Sequence, residues 1–107
     1  MRCRTDANQK LIVDAARRAG LRVYDTSMVG KGFGDLVVQY GRITECWEVK
    51  DPAKPPSQRK FTQAQTRSRE LGLFARLVLT LDDVLQARKE MIANATVIEN
   101  SRRLNEW

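Results

Sequence analysis

Apolar residues recur with helical spacing over residues 7–19, where Leu11, Ile12, Ala15, Ala16 and Ala19 form a stripe. Asp6 is placed to cap this helix and Gly20 to stop it. Residues 21–24 then read as a short strand, with Tyr24 expected in the core. "TSMVGKGFG" (26–34) is a glycine-punctuated loop whose Gly-Lys-Gly lacks the Lys-Ser/Thr ending of a P-loop. Two β-like runs, 35–40 and 43–50, surround Gly41-Arg42. The prolines of "DPAKPPSQRK" break the pattern and predict an extended basic loop. Thr62 is positioned to cap a helix running through Gln65 to Leu71, and residues 74–79 form an apolar strand. Thr80 would cap a last helix with Leu81, Val84, Leu85, Arg88, Met91 and Ile92 on one face. The closing stretch, 96–107, is polar and is expected either to fray or to dock on a partner. The order α-β-β-β-α-β-α predicts one α/β domain over residues 1–107, a mixed sheet flanked by helices.

The turn between the two central runs fixes which residues face each other. A two-residue loop with Gly first suits a type II′ hairpin. With Gly41-Arg42 as that loop, Tyr40 faces Ile43, Val38 faces Glu45 and Asp35 faces Glu48. Two carboxylates opposite each other on one sheet face repel. The two-residue period puts Lys50 and Cys46 on that same face, while Trp47 and Val49 turn toward the core. Two arrangements offset the repulsion. A divalent cation between the acids would do so, hard oxygen ligands being what Mg²⁺ or Mn²⁺ prefers. Alternatively Lys50 neutralises the acids itself, as a structural ion pair.

Composition narrows the chemistry. The chain contains no histidine, which excludes Ser-His-Asp and Cys-His triads and His-based zinc sites. Cys3 and Cys46 have no Cys-x-x-Cys spacing, so neither a disulfide framework nor a zinc knuckle is indicated. No apolar run is long enough to cross a bilayer and no apolar leader opens the chain, so the expectation is an intracellular protein. The net charge of +6 favours a polyanionic partner. The charge is concentrated beyond the second central run, where Lys50, Lys54, Arg59, Lys60, Arg67 and Arg69 are opposed by Asp51 alone. Lys54, Arg59 and Lys60 on the loop, and Arg67 on the next helix, are candidates for phosphate contact.

"GKGFGDLVV" followed by "EVK", with Glu48 thirteen positions after Asp35, resembles the PD-(D/E)xK nuclease core. The pattern is most similar to small, phage-type stand-alone VRR-NUC domains. The resemblance covers residues 6–85 and includes the proline-rich basic loop and the Thr-x-x-Gln that follows it. It implies an αβββαβ core of restriction-endonuclease type, here with an extra C-terminal helix. It further implies an Mg²⁺- or Mn²⁺-dependent endonuclease acting on DNA phosphodiesters. Relatives of this size act on branched DNA such as Holliday junctions, which implies a homodimer, and a phage origin would place it in the host cytoplasm. By this resemblance Asp35, Glu48 and the backbone carbonyl of Val49 ligate the metal. Lys50 orients or helps deprotonate the attacking water, Gln65 assists, and Lys31 joins the DNA-binding cations.

The chain departs from the family at two places. Gly34 stands where relatives carry Pro before the aspartate. Gln9 falls where the first helix normally supplies a Glu, so any metal bound there meets an amide oxygen without charge. Asp6 is the nearest substitute, since Asp14 lies off the Gln9 face. The neutral Gln9 leaves an alternative open, a weakly active or non-catalytic DNA-binding module on a degenerate nuclease fold. A third reading is a structural basic protein whose acids merely pair with Lys50.

Overall fold

The computed structural model describes residues 7–29, 34–55, 63–70 and 76–105. Along the chain these form α1 (Ala7–Arg18), β1 (Arg22–Asp25), β2 (Leu36–Tyr40), β3 (Ile43–Val49), α2 (Gln63–Glu70), β4 (Arg76–Val78) and α3 (Leu81–Asn105). This is the element order expected from the periodicity. The strands make one mixed sheet in the order β1-β2-β3-β4, antiparallel except for the β3–β4 pair. Consecutive parallel strands need a crossover, and α2 lies within it.

Each boundary has a local cause. Helix α1 ends in a Schellman motif: the N–H of Gly20 donates to the Arg17 carbonyl and that of Leu21 to the Ala16 carbonyl. Gly20 holds the left-handed φ of 87° that this ending requires. Gly41 likewise takes a positive φ of 57° at the first loop position of the β2–β3 hairpin. The hairpin register follows, with Tyr40 opposite Ile43, Val38 opposite Glu45 and Leu36 opposite Trp47. Helix α3 opens with a reciprocal cap. The Asp83 N–H donates to Thr80 Oγ1, while Asp83 Oδ2 accepts from the N–H groups of Leu79 and Thr80.

One face of the sheet carries the core. Val23, Leu36, Val38, Trp47, Val49 and Val78 are buried there, against Ile12, Val13 and Ala16 of α1 and Val84, Ala87 and Met91 of α3. Trp47 Nε1 donates to Glu45 Oε1, satisfying the indole at the edge of this layer. Glu45 also receives a two-pronged contact from Arg76 (2.7 and 2.9 Å), which reaches Glu90 on α3 as well. That network ties β3, β4 and α3 together.

Three expectations about the core need correction. The buried stripe of α1 is Gln9, Ile12, Val13 and Ala16, and Leu11 is exposed. The stripe is set by where α1 meets β1, β3 and α3, which turns Gln9 and Val13 inward and Leu11 outward. On α3 the buried positions are Val84, Ala87 and Met91, while Leu81 and Leu85 face outward. Tyr24 is exposed, because the odd–even alternation of β1 sends Val23 inward and Tyr24 to the opposite face. The polar run 96–105 continues α3 as helix. Phe61, Phe74, Thr62 and Trp107 lie outside the described residues, as does Asp6. Among the described residues no helix is long and apolar enough to cross a membrane.

Removing the Asp83 carboxylate strands two N–H groups at the start of α3. Asp83→Ala is expected to lower unfolding free energy by about 1–2 kcal/mol, read by urea denaturation.

Candidate active site

Asp35 and Glu48 meet at the end of the sheet away from the hairpin. Asp35 stands one residue before β2, and its Oδ2 accepts a hydrogen bond of 2.9 Å from the Val49 N–H. The side chain thereby takes the place of a backbone acceptor where the β2–β3 ladder runs out. The close approach is possible because residue 34 is glycine. A Cβ there would stand 3.0 Å from the Trp47 carbonyl oxygen and 3.3 Å from the Cys46 Cβ. Gly34 thus does more here than begin a strand: it lets the chain run against β3 and deliver Asp35 to Val49.

Glu48 follows from the alternation along β3, which sends Trp47 and Val49 into the core and Glu48 to the other face. That face is not open at this point. Glu48 is only 3% exposed, and its Oε1 has no hydrogen-bond partner among the described residues. The Lys50 ammonium lies 3.6 Å from Glu48 Oε2. The Glu48 carboxyl is pushed up to about 8: burial is the main cause, hydrogen bonding and like charge from Asp35 add to it, and Lys50 acts against both. One half-buried ammonium therefore leaves the acid pair only partly compensated. Cys46 shares this face, and burial pushes its thiol up, away from the thiolate a nucleophile needs.

Lys50 is held through its backbone. Its N–H donates to the Val78 carbonyl, and its own carbonyl accepts from Asn8 Nδ2 at 2.7 Å. The same amide nitrogen donates to the Leu79 carbonyl at 3.1 Å. A single side chain from the first turn of α1 thus satisfies two carbonyls where β3 and β4 part. Asn8 carried no signal in the sequence, since its role depends on two strands remote along the chain.

Gln9 is buried on α1, and its Nε2 lies 3.4 Å from Asp25 Oδ2. Asp25 Oδ1 accepts from the N–H and hydroxyl of Ser27. A glutamate at position 9 would set a second carboxylate against Asp25, whereas the amide supplies a donor. Asp25 ends β1, and the next residue, Thr26, donates its N–H to the Asp35 carbonyl. The sequence reading missed Asp25; its signal was its place at the end of a strand adjacent to the one that Asp35 opens.

Lys54 is exposed on a turn just beyond β3, where Asp51 Oδ1 accepts from the Ala53 N–H. Arg67 is exposed on α2. Gln65 lies on α2, its side chain outside the described residues, and Lys31, Arg59 and Lys60 lie outside them altogether. Among the described residues no group of three or more Asp, Glu, Cys or His side chains is assembled to hold a metal ion. The fit to a divalent cation rests instead on two adjacent carboxyl groups, one with a buried oxygen that has no hydrogen-bond partner among the described residues. Such hard, anionic oxygens suit Mg²⁺ or Mn²⁺.

Comparison with known proteins finds no matching family model, no matching characterised protein and no matching solved structure.

A buried acid with a raised pKa weakens the fold at high pH. Between about 4.5 and about 8 the unfolded chain releases the Glu48 proton while the folded chain keeps it, so stability falls as pH rises through that window. In EDTA, wild-type protein is expected to lose on the order of a few kcal/mol across it. Glu48→Gln should lack this loss and be the more stable chain above pH 8. Urea denaturation at stepped pH reads both.

Proposed function

We propose that this protein is an Mg²⁺- or Mn²⁺-dependent endodeoxyribonuclease of VRR-NUC type, built on a PD-(D/E)xK core. The observation that carries the reading is the buried Glu48 Oε1, without a hydrogen-bond partner among the described residues, in a carboxyl group beside Asp35 whose other oxygen, Oε2, lies 3.6 Å from the Lys50 ammonium. A dominant ion pair with Lys50 would hold the Glu48 carboxyl low, whereas burial and Asp35 outweigh Lys50 and push it up to about 8. The hairpin register and the Asp35–Val49 contact bring the aspartate to the Glu-x-Lys strand in the order that the motif requires.

In this reading Asp35 and Glu48 would hold the cation, with the Val49 carbonyl as a third donor. A bound divalent cation would lower the pKa of the attacking water and polarise the phosphoryl oxygen. The protein's own groups do the rest. Asp35 is oriented by the Val49 N–H and so presents its carboxylate at a fixed angle. Lys50, anchored by Asn8 and Val78, places a positive charge beside the scissile phosphate, where negative charge develops. Lys54 and Arg67 neutralise flanking phosphates, so binding weakens with salt. A homodimer belongs to the same proposal, since two cuts in a symmetric junction need two sites.

The neutral Gln9, engaged with Asp25, favours one rival, a module that binds DNA without cutting it. The test is incubation with four-way junction, flap and linear duplex DNA in Mn²⁺, Mg²⁺ or EDTA. Wild-type protein is expected to cut in Mn²⁺ or Mg²⁺ and not in EDTA. Asp35→Asn and Glu48→Gln should each lose about 100-fold or more in rate, consistent with loss of electrostatic stabilisation at the reacting centre. Binding without cutting in either metal would support the rival instead.

A further inference from the structure

The sheet face that carries Asp35 and Glu48 is covered unevenly, and its open part has a definite composition. Tyr24, Val37 and Cys46 stand directly opposite one another across β1, β2 and β3. Exposure falls along that row: Tyr24 is 54% exposed, whereas Val37 and Cys46 are half-buried. The next row on the same face is Thr26, Asp35 and Glu48, with the Thr26 N–H bonded to the Asp35 carbonyl at 2.8 Å. Tyr24 is therefore a diagonal neighbour of Asp35. Such neighbours lie roughly 7–8 Å apart, within reach of an aromatic side chain. The row on the other side of Tyr24 is Arg22, Gln39 and Thr44, with Arg22 exposed.

The fold does not explain this tyrosine. The core lies on the opposite face, and Tyr24 is not among the residues that build it or pack against it. On this face the half-buried Val37 stands directly opposite the ring, with Arg22 in the row on one side and Asp35 in the row on the other. An exposed ring with an exposed cation in the adjoining row suits a nucleic-acid strand. An aromatic ring beside a basic group offers a base a stacking surface and its phosphate a counter-charge. The net charge of +6 suits the same polyanion. Within a duplex both faces of a base are already occupied by its neighbours. A single exposed ring can stack only on a base that is unpaired or displaced.

We propose that Tyr24 is a stacking platform for an unpaired base next to the Asp35–Glu48 pair, with Arg22 contacting the adjoining phosphate. The proposal deepens the nuclease reading and rests on it only for what happens after binding. Tyr24 positions the strand; it takes no part in bond cleavage. The preferred substrate is then nucleic acid with at least one unpaired base beside the site.

The experiment is done in EDTA, so that binding is read without cutting. Fluorescence anisotropy compares a single-stranded oligonucleotide with the intact duplex of the same sequence, for wild type, Tyr24→Ala and Tyr24→Phe. Tyr24→Ala should bind the single strand about 10-fold or more weakly and change duplex affinity by less than about 2-fold. Tyr24→Phe keeps the ring and should retain wild-type affinity for both. A 2-aminopurine base in the strand should be quenched on binding to wild type and Tyr24→Phe, and not to Tyr24→Ala. Equal losses on both ligands, no loss on either, or a wild-type protein that does not bind the single strand would each overturn the platform. Ring-dependent binding with no metal-dependent cutting would uphold the platform while removing the nuclease reading.

Discussion

Two carboxylates held side by side where water is largely excluded set the terms for the rest of this structure. Burial makes Glu48 costly to ionise, and hydrogen bonding and like charge from Asp35 add to that cost. Lys50 lowers that cost without removing it, because its single charge sits to one side at 3.6 Å. A fold selected for stability alone would place an apolar or amide residue at position 48, with nothing lost from the core on the other face. The acid pair is thus a local strain that the remainder of the molecule supports, as functional sites commonly are.

That support comes from short-range devices that act together. Gly41 sets the hairpin and with it the register that aligns the two strands. Gly34 allows the chain to approach β3 closely enough for Asp35 to reach the Val49 N–H. Asn8 ties the ends of β3 and β4 to α1, and so fixes the backbone from which Lys50 projects. Behind the site, Trp47 and Val49 are packed into the core that α1 and α3 share. The same strand therefore anchors itself with Trp47 and Val49 and turns Cys46 and Glu48 to the other face.

How much of this could be read from the residues depends on the range of the interaction. The hairpin was legible because a turn dictates its own register, and the register placed Asp35 opposite Glu48. The cap of α3 was legible at Thr80 for the same local reason. The faces of α1 and α3 were misjudged, at Leu11, Leu81 and Leu85, because periodicity shows that a stripe exists but not which neighbours it meets. Tyr24 was assigned to the core on its aromatic character, when the alternation set by Val23 turned it outward. Asn8 was invisible, its partners lying 42 and 71 positions away, and the contact of Asp25 with Gln9 spans 16 positions and two elements. The depth of Glu48 was likewise out of reach, since two-residue alternation gives a direction and no burial.

The central claim is that Asp35 and Glu48 form an under-compensated pair suited to a divalent cation. Calorimetric titration of the metal-free protein with Mn²⁺ tests it without reference to substrate or cleavage. The account predicts saturable binding by wild type that is lost, or weakened by about 10-fold or more, in both Asp35→Asn and Glu48→Gln. Titrations that are the same for all three proteins, or wild-type protein that takes up no Mn²⁺, would contradict it.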